Sequence, residues 1–164
     1  MAQHSTQRQI SLKEISRDDA FSCMSDELKE RVFQDYVDLD LNPLPLNYSY
    51  VGCFVGGHLA GFIHLAKSKL YIVDIHININ KLFRGYAPIF ANKIIDNLFK
   101  NSDVNRIESE IPVLYKSMLK FVQNIGFELE GKKQEAFNKN GKWHDTYIIG
   151  LTRNNHGRHK LKRL

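Results

Sequence analysis

Ile125-Gly126-Phe127-Glu128-Leu129-Glu130-Gly131 is the stretch on which the reading of the fold turns. Ahead of it, Tyr115 to Asn124 carries Leu119 and Val122 on one side of a predicted helix, and Gly126 is well suited to the left-handed position that stops one. Behind it, Phe127 to Phe137 and Trp143 to Leu151 are predicted strands around a polar loop containing Asn140-Gly141. Helix, glycine stop and hairpin follow one another without a linker.

Working towards the amino terminus, Asn105 to Ile111 is a predicted strand ended by Pro112. Ile89 to Lys100 is a predicted helix that buries Phe90, Ile94, Ile95 and Leu98. The cleanest alternation lies before it. Tyr71, Val73, Ile75, Ile77 and Ile79 point one way; Asp74, His76, Asn78 and Asn80 point the other. One face is buried, and the other meets solvent, a groove or a partner. Tyr48 to Val55 and Leu59 to Ala66 flank Gly56-Gly57 as a hairpin. Gln9 to Ile15 is a first strand, and Ser16 and Ser25-Asp26-Glu27 open two helices. The second carries a stripe of Leu28, Val32, Phe33, Tyr36 and Val37 until Pro43 and Pro45 close it. The order β-αα-βββ-α-β-α-ββ predicts an α/β (α+β) domain with one mixed central sheet and helices on its faces.

A chain of 164 residues can bury about 70% of its unfolded surface without metal or disulfide help. Cys23 and Cys53 show no CxxC spacing and read as buried thiols. No apolar run reaches the roughly 18 residues of a membrane span, and Met1 to Gln9 lacks a signal-peptide core, so a cytoplasmic protein is expected. The net charge of +5 is concentrated in Arg153, Arg158, Lys160, Lys162 and Arg163; elsewhere acids and bases balance. Such a tail reads first as a solvated, disordered end and otherwise as a contact for phosphates or an acidic partner, and nothing else points to nucleic acid.

The element order, and above all Ile111 to Arg153, resembles the GNAT superfamily of acyl-CoA-dependent N-acyltransferases. Gly126 to Gly131 is similar to the GF-x-x-EG segment that follows the fourth helix in many members, and Asp145-Thr146-Tyr147 sits where their last strand often has an Asp. The resemblance covers roughly residues 10 to 152. It implies a mostly antiparallel sheet of roughly six or seven strands with about four helices, between a flexible arm over 1–9 and a flexible basic tail over 153–164. It also implies acetyl-CoA or CoA as cofactor, no metal, and a small amine or a protein amino group as acceptor.

The family's cofactor loop, R/Q-x-x-G-x-G/A, matches Arg84-Gly85-Tyr86-Ala87-Pro88-Ile89. Its small residues let backbone N–H groups approach a pyrophosphate at a helix N-terminus. Arg84 fits the pattern. Ala87 replaces the first glycine, Ile89 puts a branched side chain at the second small position, and Pro88 has no N–H to donate. The implied cofactor contacts are Ile77, Ile79, Arg84, Gly85, Tyr86, Ala87 and Ile89. Many members carry a Tyr acid four residues before the GF glycine; here that position is Val122, and Tyr115 lies two turns too early. Candidate bases are Asp74 and His76, about 7 Å apart on one strand face, and Glu110, which shares a face with Glu108 on the next. The other histidines show no metal-ligand spacing. Ile15 to Asp19 and Phe33 to Asp40 faintly resemble small GNAT-like proteins of tailed bacteriophages, some linked with head assembly. On that resemblance the chain is a non-catalytic module that binds a protein partner.

Overall fold

The computed structural model describes residues 8–32 and 48–161. Among them seven strands form one sheet: β1 (Ile10–Ile15), β2 (Ser49–Val55), β3 (His58–Lys69), β4 (Ile72–Ile79), β5 (Arg106–Pro112), β6 (Glu128–Lys139) and β7 (Lys142–Thr152). Five helices accompany it: α1 (Arg17–Ser22), α2 (Asp26–Val32), α3 (Ala87–Asn101), α4 (Lys116–Asn124) and α5 (Arg153–Leu161). A 3-10 turn covers Lys81–Tyr86. The strand order is β1-β2-β3-β4-β5-β7-β6, and β4 with β5 is the parallel pair. A parallel neighbour needs a crossover, and α3 supplies it. This is the single mixed sheet expected from the element order, and mostly antiparallel as the family resemblance implies. Phe33, Tyr36, Val37, Pro43 and Pro45 lie outside the described residues, as do residues 1–7.

The alternation of β4 sends its side chains into two different layers. Val73, Ile75 and Ile79 join the main core with Phe90, Ala91, Ile94, Ile95 and Phe99 of α3. Phe99 takes the last buried position of α3, and Leu98, expected there, is half-buried. On the other face a smaller core gathers Ala20, Met24 and Leu28 against Tyr50 and Phe62. At Asn78 and Asn80 the polar side of β4 therefore faces a protein layer, while Asp74 and His76 stay partly exposed. Asn78 is buried there, and Asn80 accepts from Ser25 N–H (2.9 Å) and donates to the Cys23 carbonyl (2.8 Å). Cys53 is fully buried and Cys23 half-buried; burial pushes their thiols up to about 12 and about 11.

Gly126 ends α4 as its sequence context suggests. Phe127 N–H reaches the Val122 carbonyl (3.0 Å) and Gly126 N–H the Gln123 carbonyl (3.1 Å), a Schellman closure with Gly126 at φ +106°. Residues 153–161, expected to be a solvated end, instead form α5. The Arg153 guanidinium donates to the carbonyls of Phe99, Ser102 and Val104 where α3 ends. His156 is buried, with Nε2 2.6 Å from Asp96 Oδ1 and its ring against Phe99. Charge marked this segment as tail-like, yet one cation satisfies the open end of a helix and one ring is packed.

Candidate active site

β4 and β5 pair only where Ile72 to Asp74 meet Arg106 to Glu108. Beyond Asp74 they part, while β5 keeps β7 as its other neighbour through Pro112. The gap opens into a cleft of about 520 Å³. Its α3–α4 side is apolar, lined by Ile75, Ile77, Ile79, Ala87, Phe121 and Val122 among others. Its other side is polar: Leu28 and Arg31 of α2, His76 of β4, Glu110 of β5 and Thr146 of β7 border it, with Tyr115 ahead of α4. His76 and Glu110 each lie two residues past the last paired positions, Asp74 and Glu108. They share that face from opposite walls.

Asp74 stands behind His76 and is not part of the wall. Its Oδ1 lies 2.7 Å from His76 Nε2, at an angle that makes no aligned hydrogen bond. Directly opposite His76 across the β3–β4 ladder is His64. The two rings meet edge to face, centroids 4.6 Å apart, and Tyr48 covers His64 at 4.7 Å. His64 is buried with neither ring nitrogen hydrogen-bonded, and burial, helped by the nearby His76, lowers its pKa to about 3. Glu110 accepts from Thr146 Oγ1 (3.0 Å) and pairs with Lys133 Nζ. Asp145 accepts from Lys132 Nζ (2.7 Å) and Glu135 N–H (3.1 Å), which hold its carboxyl below the usual range.

Of the predicted cofactor contacts, Ile77, Ile79, Arg84 and Ala87 line the cleft; Gly85, Tyr86 and Ile89 do not. Ile89 is 41% exposed, so its branched side chain narrows no wall of the cleft. Ala87 N–H is taken by the Arg84 carbonyl, and Pro88 follows it, so α3 begins with one amide used and one absent. The Arg84 guanidinium is held by Glu27 of α2 (2.8 Å), an ion pair that draws the Glu27 carboxyl below its ordinary pKa.

Sequence reasoning missed three residues of the polar side. Arg31 lay in a helix whose packing partner could not be foreseen. Thr146 showed no motif of its own. Tyr115 was set aside by residue counting, although its hydroxyl donates to the Arg31 carbonyl (3.1 Å) and its ring lines the cleft. Among the described residues no cluster of three His, Cys, Asp or Glu could hold a metal ion, and no helix is long and apolar enough to cross a membrane.

An acyl-CoA fits the cleft better than it fits the loop. A strand edge without a neighbour, an apolar wall and a polar opposite wall suit an extended amide arm that ends in a thioester. At the loop, Arg84 and Gly85 suit a pyrophosphate, and Gly85 leaves open space where a Cβ would stand.

No curated protein matches the chain. Mutant forms of the spermidine/spermine N-acetyltransferase SpeG from Vibrio cholerae superpose with a TM-score of 0.76 at 17% identity, covering 93% of this chain and 98% of theirs. A structure from Acinetobacter baylyi ADP1 that bears the name of an acetyltransferase gives 0.70 at 20% identity, covering 90% and 94%. At such identities the likeness speaks to the fold. The family model of the acetyltransferase (GNAT) domain matches residues 7–148, and the chain belongs to that family.

Proposed function

We propose that this protein is an acetyl-CoA-dependent N-acetyltransferase that acts on a small amine. The observation that carries the reading is the cleft where β4 parts from β5, apolar on one side of the sheet and bordered by His76 and Glu110 on the other. Acetyl-CoA would supply the acyl group. Ile77, Ile79 and Ala87 would enclose its arm, and Arg84 and Gly85 would meet its phosphates. The polyamine named for the SpeG structures is one acceptor of the amine class.

An amine attacks only after losing a proton, and His76 is placed to take it. With Nε2 turned to Asp74, Nδ1 is the nitrogen left to accept. Asp74 Oδ1 lies 2.7 Å from that Nε2 and borders the ring on this side. Glu110, across the cleft, holds the ammonium group of an incoming acceptor in reach of His76. The leaving sulfur needs a proton, and we assign that role to the Tyr115 hydroxyl on the cleft wall, which would release the Arg31 carbonyl to give it. It replaces the tyrosine that the family places where Val122 stands.

Thermal unfolding with and without millimolar acetyl-CoA or CoA tests the reading. A site filled at about 100 times its dissociation constant adds roughly 2.7 kcal/mol, a rise of about 5–10 °C for a chain of this size. An unchanged midpoint would remove the acyltransferase reading. The start of α3 favours a second reading, a non-catalytic module that binds a protein partner, as in bacteriophage head assembly: Ala87 N–H is engaged, Pro88 has none, and Glu27 occupies Arg84. That reading predicts the unchanged midpoint.

A further inference from the structure

We propose that the acceptor is an amine that also carries an oxyanion, carboxylate or phosphate, and that Arg31 recognises it. The inference rests on the acyltransferase reading and adds the acceptor's chemical class.

The charges around the cleft lead to it. Among the described residues lining it, the charged side chains are Arg31, Arg84 and Glu110, besides His76. Arg84 is held by Glu27, and Glu110 by Lys133 and Thr146. Just outside, Asp74 faces His76, and Glu108 accepts from Arg106 Nε (3.0 Å) and Ser68 Oγ (3.1 Å). Every carboxylate near the polar side thus has a partner. Among the described residues the Arg31 side chain makes no ion pair or hydrogen bond; the carboxylate one turn back, Glu27, feels its charge but is bonded to Arg84.

Its guanidinium lies instead over the Tyr115 ring, 5.4 Å from the centroid. The Tyr115 hydroxyl donates to the Arg31 backbone carbonyl (3.1 Å), so one residue fixes both ends of the arginine. A ring shelf restrains a planar cation without using its N–H donors, which stay directed to a ligand. Arg31 is half-buried, where a fork of two parallel hydrogen bonds to an oxyanion is stronger than at a fully wet surface. Glu110 and His76 on the same side are suited to the amine end. An acceptor with an ammonium group and an oxyanion matches this pattern. A polycation would instead bring a second positive charge towards Arg31, which repels it.

The test compares acceptors in matched pairs, by CoA release and by thermal unfolding with CoA present. Glycine and phosphoethanolamine supply a carboxylate and a phosphate; ethylamine has neither, and spermidine is the polycation. The expected result is a kcat/KM at least about tenfold higher for one oxyanion-bearing amine than for ethylamine and spermidine, as for a charge-assisted hydrogen-bonded pair. Which of the two leads distinguishes carboxylate from phosphate. In Arg31→Gln that ratio falls towards one and the acceptor-induced rise in midpoint is lost, while Arg31→Lys restores part of both. A preference for spermidine or ethylamine, or a ratio unchanged in Arg31→Gln, overturns the inference. If CoA stabilises the protein and neither oxyanion-bearing amine adds to it, the inference falls while the acyltransferase reading stands. If CoA itself gives no shift, both fall.

Discussion

His64 is an expensive residue in its position. It is buried on the inner side of the α1–α2 layer, and neither ring nitrogen finds a partner. An unfolded histidine titrates near 6.5, whereas the buried ring holds no proton until about pH 3. Between those values the unfolded chain binds a proton that the native chain lacks, so stability is full above 6.5 and falls as pH drops. The loss approaches about 1.4 kcal/mol per pH unit. His64→Phe keeps an aromatic ring against Tyr48 and has no nitrogen to protonate. Denaturant unfolding from pH 7 to 4.5 is expected to show a shallower acid decline in the variant; parallel declines would refute this account of His64. Gly126 makes a second point at this scale. At φ +106° it sits where a side chain is strained, and the His159 ring lies 3.2 Å from where a Cβ would be. Gly126→Ala should cost at least about 1–2 kcal/mol, read from the shift in urea midpoint. Gly126 was legible because its role is local. Arg31 was not, because its value depends on a tyrosine 84 residues away.

At the level of elements, α2 spans the cleft and is tied at both sides. Glu27 meets Arg84 beside β4, the Arg31 carbonyl receives the Tyr115 hydroxyl, and the Glu30 carbonyl receives Lys139 Nζ from β6. The junction between α1 and α2 is pinned by Asn80, whose amide accepts from Ser25 and donates to Cys23. Asn80→Ala leaves two backbone groups of that junction without their partner and should cost about 1–3 kcal/mol. Exchange of the amides in α1 and α2 should quicken more than that of α3 in the same variant. Equal effects on both layers would show that Asn80 does not act as a local pin. The alternation of β4 correctly divided its residues between two faces, because period two is written in every strand. It could not say what covers the polar face, since that depends on how the chain returns over the sheet. The carboxyl-terminal segment was misread for a related reason: Arg153 acts on carbonyls of another helix, and composition carries no trace of that contact.

Across the whole molecule, the sheet is continuous except along one seam. β1 through β4 pair along their lengths, and β5, β7 and β6 do the same; the halves meet only over three residues of β4. Successive residues of a strand aim their N–H and C=O groups at alternate neighbours. Alternate residues of Ile75 to Ile79 therefore direct theirs into the cleft rather than to β5. Such amides have no ladder partner, so they should exchange with solvent faster than those of β3, which is paired on both sides. A ligand that lies along β4 as an extended amide chain would accept and donate there, completing the sheet across its seam. Hydrogen exchange resolved by residue, with and without CoA, should show alternate amides of 75–79 fast in the free protein and slowed by the ligand. The amides of β7, which is paired with β5 on one side and β6 on the other, serve as the internal reference. Slow exchange along all of β4 in the free protein would mean the seam is closed in solution, and the cleft could then not admit an acyl donor without a prior opening. Fast exchange that CoA leaves untouched would mean the seam is open but the ligand does not lie along it.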